Sequence, residues 1–511
     1  MEESLELRMQ ETIHDFADKP VAFSSGELDR KMYKGMSGNM GSYAQRDPKR
    51  HMLRLRTVGG QIDQTKLQFV ADAVERFQIG RLKITTCQTL QLHDLPPESL
   101  APLMEQALTY GIVTLGGGGD NPRSVMASPL SGVEPKEAFD VLPYAQAVSD
   151  DLVAHLLDLH LPRKLKIGFS NGPRNETHAT FRDLGFVAQP DGTFRVYCAG
   201  GLGPNPKLGI CVVEKLPASD ILYCVDAMLD VFTTFGNYEN RARARTRYLQ
   251  ETLGPERLQA EFQKALKKAR SFSRTFIPST FPIAKEPDGQ IRAQRVLPQK
   301  QKGLYTVCYH PTGGYLPVTL PRRLHKALSQ MEQTQVRLGP DGTLYVINLT
   351  GREVPEILQL TQGGANTCFE SSVSCVGASV CQQGIRDSQG LLAAMLEAVR
   401  PYHFQDGVLP QVRISGCPSS CGCHSIAGLG FAGSVKLVDK VAHPAFSVFA
   451  GGNELQLQEC LGEKLGVMLE RDIPAFMIRL GQLIQAENTT FERWFPSHRK
   501  QLIDLASEFF V

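Results

Sequence analysis

The chain runs to 511 residues, too long for one hydrophobic core and enough for roughly three to four domains. Hydrophobic residues make up 42% and charged residues 21%, and no window approaches the roughly 18 unbroken apolar residues of a membrane span, so no membrane role is expected. Fifty-five Lys and Arg against 53 Asp and Glu leave a net charge of +2, which argues against bulk attraction to nucleic acid and makes any electrostatic function local.

The opening segment, residues 1–30, carries acid from position 2 and has neither an apolar leader region nor an Arg-rich transit pattern, so a cytoplasmic protein with an N-terminal extension is expected. Beyond it the chain repeats itself. Gly59–Pro96 and Gly313–Thr350 align without a gap, with apolar positions coinciding at Val70/Leu324, Leu82/Val336, Ile84/Leu338 and Leu92/Val346. Val70, Ala73, Val74 and Phe77 follow a helical spacing, while Leu82, Ile84 and then Leu90, Leu92 alternate, so each copy predicts a β-α-β-β unit. A second gapless pair, Ile167–Phe186 and Val412–Phe431, shares Ser170/Ser415, Pro173/Pro418 and a Leu-Gly-Phe triplet. Both pairs in one order predict an ancient duplication with a shared cleft. The basic stretch from Asn240 to Arg270 is expected to connect the halves, as a solvated helix face in preference to a nucleic-acid patch.

Twelve cysteines are too sparse for a secreted disulfide scaffold. The informative ones distinguish the copies: Cys417 and Cys421 stand where the first copy has Gly172 and Glu176. With Cys375 and Cys381 upstream, the set reads C-x5-C followed by C-x3-C. Four thiolates in two pairs suit an iron–sulfur cluster or a zinc site, and the wide first gap favours the cluster. Cys368 and Cys423 are read as bystanders, and Cys198, Cys211, Cys224, Cys308 and Cys460 as core residues.

The segment ISGCPSSCGCHSIAGLGFAG, with SCVGASVC upstream, ITTCQTLQLHDLP early in the chain and LPRKLK before the first-copy turn, resembles the sirohaem-containing nitrite and sulfite reductase family. The likeness runs from about Tyr33 to the end. It implies an α+β, pseudo-twofold duplicated protein with two ferredoxin-like half-domains (31–140 and 271–365) and two α/β sirohaem/iron–sulfur half-domains (141–270 and 366–511). It also implies that Cys375, Cys381, Cys417 and Cys421 hold a 4Fe-4S cluster, with Cys421 bridging to the sirohaem iron. Such cofactors serve the six-electron reduction of sulfite to sulfide or of nitrite to ammonia, fed by a separate ferredoxin or flavoprotein.

A polyanionic macrocycle and a small anion both call for cations. Lys164 and Lys166 alternate on a predicted strand and, with Arg123 after a Gly-rich turn, are the expected substrate cations. Arg46, Arg54 and Arg56 are expected at the sirohaem carboxylates, and Gln88, Asn121 and the 200–203 loop near the macrocycle. His93 and His424 are read as structural. One departure stands out: where the family usually reads Thr-Thr-Arg-Gln, this chain has Thr85-Thr86-Cys87-Gln88. Either Arg81 or Lys83 supplies the charge, or the substrate is bulkier or less charged, or Cys87 itself holds sulfur, or the chain is a variant of low activity. Cys87 is expected to line the substrate site and alter preference. The Lys-x-Lys pair leans toward sulfite, with nitrite as the alternative. Further rivals are a precorrin monooxygenase-like enzyme, a non-catalytic sirohaem-binding sensor and a zinc-stapled scaffold.

Overall fold

In a computed structural model describing residues 3–274, 276, 278 and 282–511, the chain divides into two compact units. The larger comprises Met1–Gly201, Lys207–Tyr309 and Tyr315–Gln362, and the smaller comprises Leu202–Pro206, His310–Gly314 and Gly363–Val511. No helix among the described residues is long and apolar enough to cross a membrane.

Both predicted β-α-β-β units form, and both lie in the larger unit. The first is strand Gln61–Ile62, helix Gln64–Arg76 and strands Arg81–Ile84 and Leu90–Leu95; the second is Tyr315–Leu316, Leu320–Leu328, Gln335–Leu338 and Leu344–Leu349. The helical spacing buries Leu67, Val70 and Ala73 on one helix and Leu324 and Ala327 on the other in one core. Each such side chain contributes about 1.5–3 kcal/mol, less for alanine, when removed from water. The Asp63 carboxylate accepts the Lys66 N–H at 2.8 Å and starts the first helix.

These strands do not stay within their own copies. One antiparallel sheet has the order Ser42–Ala44, His51–Leu55, Leu90–Leu95, Arg81–Ile84, Tyr315–Leu316, and the other Val296–Pro298, Tyr305–Tyr309, Leu344–Leu349, Gln335–Leu338, Gln61–Ile62. The fifth strand of each is lent by the other copy, with Leu316 opposite Leu82 and Ile62 opposite Val336. The N-terminal segment joins the same core: helix Glu3–Phe16 inserts Leu5, Met9, Ile13 and Phe16, spaced as one helical face.

The larger unit's remaining sheet has parallel strands Met126–Ala127, Ile167–Ser170 and Leu184–Ala188, followed by antiparallel Thr193–Cys198 and Ile210–Pro217. Helix Pro255–Ala269, read from sequence as a connector, buries Leu258, Phe262 and Leu266 in the core beside Cys224 and Met228. It is a core element whose basic side is solvated, with Lys268 paired to Asp230.

The smaller unit repeats this sheet: Val373–Ser374, Arg413–Ser415 and Leu429–Val438 run parallel, and Val441–Ala450 and Glu463–Leu469 antiparallel. The repetition reaches single residues. His178 (φ 55°) and Cys423 (φ 60°), both left-handed, precede the 3-10 turns Ala179–Phe181 and His424–Ile426. Each turn's first carbonyl then crosses the glycine of the shared Leu-Gly-Phe. A Cβ on Gly185 would lie 1.9 Å from the Ala179 oxygen, and one on Gly430 2.2 Å from that of His424, so both copies require glycine there. The fold is α+β and duplicated.

Candidate functional site

In the larger unit, cations come off the amino ends of three adjacent parallel strands. Arg123 precedes Met126–Ala127, Lys164 and Lys166 precede Ile167–Ser170, and Arg182 precedes Leu184–Ala188. The Arg123 N–H donates to the Leu165 carbonyl at 2.8 Å, which holds the first two approaches side by side. Arg54 and Arg56 arrive from the end of His51–Leu55.

These guanidinium groups are held by backbone carbonyls. Arg123 donates from Nη1 to Gly116 at 3.1 Å and also to Gly118, and from Nη2 to Gly119 at 2.8 Å. Arg54 donates to Gly117, Arg56 Nη1 to Pro122 at 2.8 Å, and Arg182 Nε to Thr177 at 2.8 Å. The Gly-rich turn at 116–119 is thus a cradle of oxygens for arginine. Burial, aided by Arg54 and Arg56, pulls the Arg123 guanidinium down to about 9, and burial brings Arg56 to about 10, so both stay charged at neutral pH. Among the described residues none of Arg54, Arg56, Arg123, Lys166 and Arg182 is ion-paired with a carboxylate. Arg56 Nη2 is buried without a hydrogen-bond partner there. Uncompensated cations with an orphaned N–H fit a ligand bearing several carboxylates.

Lys166 is fixed at both ends. Its backbone N–H donates to Asp183 Oδ2 at 2.8 Å, and Asp183, fully buried, also takes the Arg245 fork at 2.9 and 3.0 Å and the Thr246 hydroxyl. Its Nζ donates to Cys87 Sγ at 3.3 Å. Burial alone would push the Cys87 thiol up; Lys166, then Arg182 and Arg54, outweigh it and bring it down to about 6.

In the smaller unit, both cysteine loops leave the carboxyl ends of adjacent parallel strands, Cys375 after Val373–Ser374 and Cys417 after Arg413–Ser415. That is where open α/β sheets place ligands. Cys375 Sγ accepts the Gly416 N–H at 3.1 Å and meets Ser388 Oγ at 3.1 Å, and Cys381 Sγ accepts the Gln383 N–H at 3.4 Å. Burial pushes the Cys381 thiol up, with Cys375 and Cys417 adding to the effect. Cys421 is exposed. Among the described residues no three His, Cys, Asp or Glu side chains converge on a single-ion site. Soft thiols with N–H···S support on two adjacent loops have the donor chemistry of a cluster.

Other expectations resolve differently. The Gln88 amide is taken up by backbone groups: its Nε2 donates to the Ala127 and Leu338 carbonyls at 2.8 and 2.9 Å and its Oε1 accepts the Ala127 N–H, so the side chain locks the Cys87 loop. Arg46 lies exposed after Ser42–Ala44, outside the cation cluster. Asn121 Nδ2 donates to Asn39 Oδ1, at the end of helix Arg30–Asn39, at 3.1 Å and to the Gly118 carbonyl of its own turn at 3.3 Å. Arg81 forks Asp94 at 2.5 and 2.6 Å and Lys83 lies 5.0 Å from the Tyr315 ring centre, so Arg81 is committed elsewhere and does not stand in for the missing arginine. His93 is structural, bonded at both ring nitrogens to Gln45 and Gln91. Cys198 and Cys224 are core residues, whereas Cys460 is exposed. Sequence reasoning missed Arg182 and Asp183. The comparison of copies held the signal, since Ala427 and Gly428 occupy the aligned positions.

Residues 43–110, with Arg54 and Arg56, match the nitrite/sulfite reductase ferredoxin-like half domain, and residues 118–270 the nitrite and sulphite reductase 4Fe-4S domain, a stretch that holds Arg123, Lys164, Lys166 and Arg182 and not the four cysteines. The chain is 29% identical over 460 residues to the ferredoxin–nitrite reductase of Synechococcus elongatus, covering 85% of this chain and 86% of that one. It is 24% identical over 433 residues to the sulfite reductase [NADPH] hemoprotein beta-component of Geobacillus kaustophilus, covering 75% and 74%. The solved structure of Mycobacterium tuberculosis NirA superposes with a TM-score of 0.77 at 22% identity, over 92% of this chain and 91% of that one, a likeness of fold. With a ferredoxin-like half domain and a 4Fe-4S domain matched in order on a duplicated fold, and relatives of both names similar along most of its length, the chain fits the nitrite and sulfite reductase family.

Proposed function

We propose that the protein is a sirohaem/4Fe-4S oxidoreductase that carries out the six-electron reduction of a small oxyanion, nitrite to ammonia or sulfite to sulfide, with electrons from a separate ferredoxin or flavoprotein. The observation that carries this reading is the cluster of Arg54, Arg56, Arg123, Lys166 and Arg182, the first and fourth half-buried and the other three buried, without a carboxylate partner among the described residues. Five cations so placed repel one another and persist because a polyanion is meant to join them. Arg54 and Arg56, with the orphaned Nη2, would take macrocycle carboxylates. Lys166 and Lys164 would hold the substrate anion and release protons to it as its oxygens leave as water.

Cys375, Cys381, Cys417 and Cys421 would hold the cluster, and the N–H donors at Gly416 and Gln383 would moderate charge on two of the sulfurs. When bound, the two cofactors supply electron storage and an iron on which a small anion is reduced stepwise. Sulfite and nitrite remain the two substrates to compare, since relatives of both names are similar along most of the chain. The test is an absorption and EPR spectrum of anaerobically purified protein, followed by turnover with reduced viologen and each anion. Sirohaem and cluster signals with reduction of either anion are expected; spectra without them, or no turnover with both, would overturn the reading.

A further inference from the structure

We propose that the contact between Cys87 and Lys166 sets the charge of the substrate site, making Cys87 the specificity-determining residue that selects the monoanion nitrite over the dianion sulfite. The inference rests on the reductase reading above and names the substrate of that same site.

The contact is built. Cys87 Sγ receives the Lys166 ammonium at 3.3 Å, and both partners are held from behind. The Asp183 carboxylate pins the Lys166 backbone. The Cys87 loop is tied by Thr85 Oγ1, which accepts the N–H groups of Cys87 and Thr89 at 3.3 and 3.2 Å, and by the spent amide of Gln88. The charged groups that face the sulfur are Lys166, Arg182, Arg54 and Arg123, all cations. With the thiol brought down to about 6, the sulfur is an anion at neutral pH and cancels one positive charge where a substrate anion must bind.

A negative charge opposes a dianion twice as strongly as a monoanion. The difference is one full unit of charge interaction, which over several ångströms of a partly screened site corresponds to about tenfold or more in relative affinity. Above neutral pH sulfite is largely the dianion, so the sulfur disfavours it. The lean toward sulfite that the Lys-x-Lys pair suggests is thereby reversed.

The test uses the holoenzyme, with dissociation constants of sulfite and nitrite from optical titration and KM from turnover with reduced viologen. Three variants are compared: Cys87→Ser and Cys87→Ala, which remove the charge, and Cys87→Asp, which restores it without sulfur. The sulfite-to-nitrite affinity ratio is expected to move toward sulfite by about tenfold or more in the serine and alanine variants and to stay near wild type with aspartate. Alkylation of wild-type Cys87 by iodoacetamide, read by mass spectrometry, is expected to be half-maximal near pH 6 and needs no variant. An unchanged ratio in whichever neutral variant folds, an aspartate variant that behaves like serine, or alkylation half-maximal only near the ordinary thiol value would each overturn the inference. A wild-type enzyme idle on both anions would sink the reductase reading as well, whereas an active enzyme indifferent at position 87 sinks this inference alone.

Discussion

Asp183→Asn removes the single negative charge on which Arg245, Thr246 and the Lys166 backbone converge. Asp183 is fully buried and the Arg245 side chain is 12% exposed, so the variant leaves a guanidinium with nowhere to discharge. Breaking such a buried pair costs about 3–5 kcal/mol, and the remaining exposure of Arg245 places the expected loss near the lower end, about 3 kcal/mol. Against a total of about 5–15 kcal/mol, that is a large fraction. Urea unfolding of wild type, Asp183→Asn, Arg245→Met and the double variant closes a cycle in which a coupling energy of about 2 kcal/mol is expected. Because the same carboxylate accepts the Lys166 N–H, anion affinity should weaken with stability. A loss under about 1 kcal/mol, or strictly additive single variants, would refute the view that Asp183 organises the cation cluster.

Gly430→Ala would set a methyl group 2.2 Å from the His424 carbonyl, and a loss of about 2–4 kcal/mol together with reduced iron content is expected from denaturation curves and metal analysis. Cys417→Ser should lower iron and acid-labile sulfide in the anaerobically purified protein while leaving far-UV circular dichroism intact, since the side chain is not part of the apolar core. His51, fully buried against the Tyr33 hydroxyl at 2.9 Å, is pushed by burial from 6.5 down to about 4. Its folded pKa lies below the unfolded one, so its contribution is complete above pH 6.5 and is lost as pH falls toward about 4. About 3 kcal/mol is at stake, and His51→Gln should flatten the stability–pH curve across that window.

Much of the fold was legible because burial writes a period into the chain. The alternation at Leu82, Ile84, Leu90 and Leu92 and the spacing at Val70 and Ala73 mark one buried face each, and the copy supplies a second reading of the same pattern. Strand exchange was not legible, since Ile62 and Leu316 carry no sign of which copy they pair with. Cys417 and Cys421, two of the proposed cluster ligands, could be found by what differs between copies, and the same comparison contained Arg182 and Asp183. Polar contacts were not legible where the partners are backbone groups: the destination of the Gln88 amide depends on the Ala127 and Leu338 carbonyls, distant in sequence and unspecified by residue type. The lowered thiol at Cys87 likewise arises from Lys166 and Arg182, which only folding brings near.

The reciprocal loan of Gln61–Ile62 and Tyr315–Leu316 has a consequence for how such a chain can be cut. Expressed apart, either half would present an open β-edge, an invitation to self-association, and would recover a closed sheet only by finding a mate. A homodimeric ancestor that swapped the same short segment would have met this need before its genes joined. In the joined chain, where one copy bears the arginines and the other the thiols, the exchanged segments tie each copy's sheet to the other's.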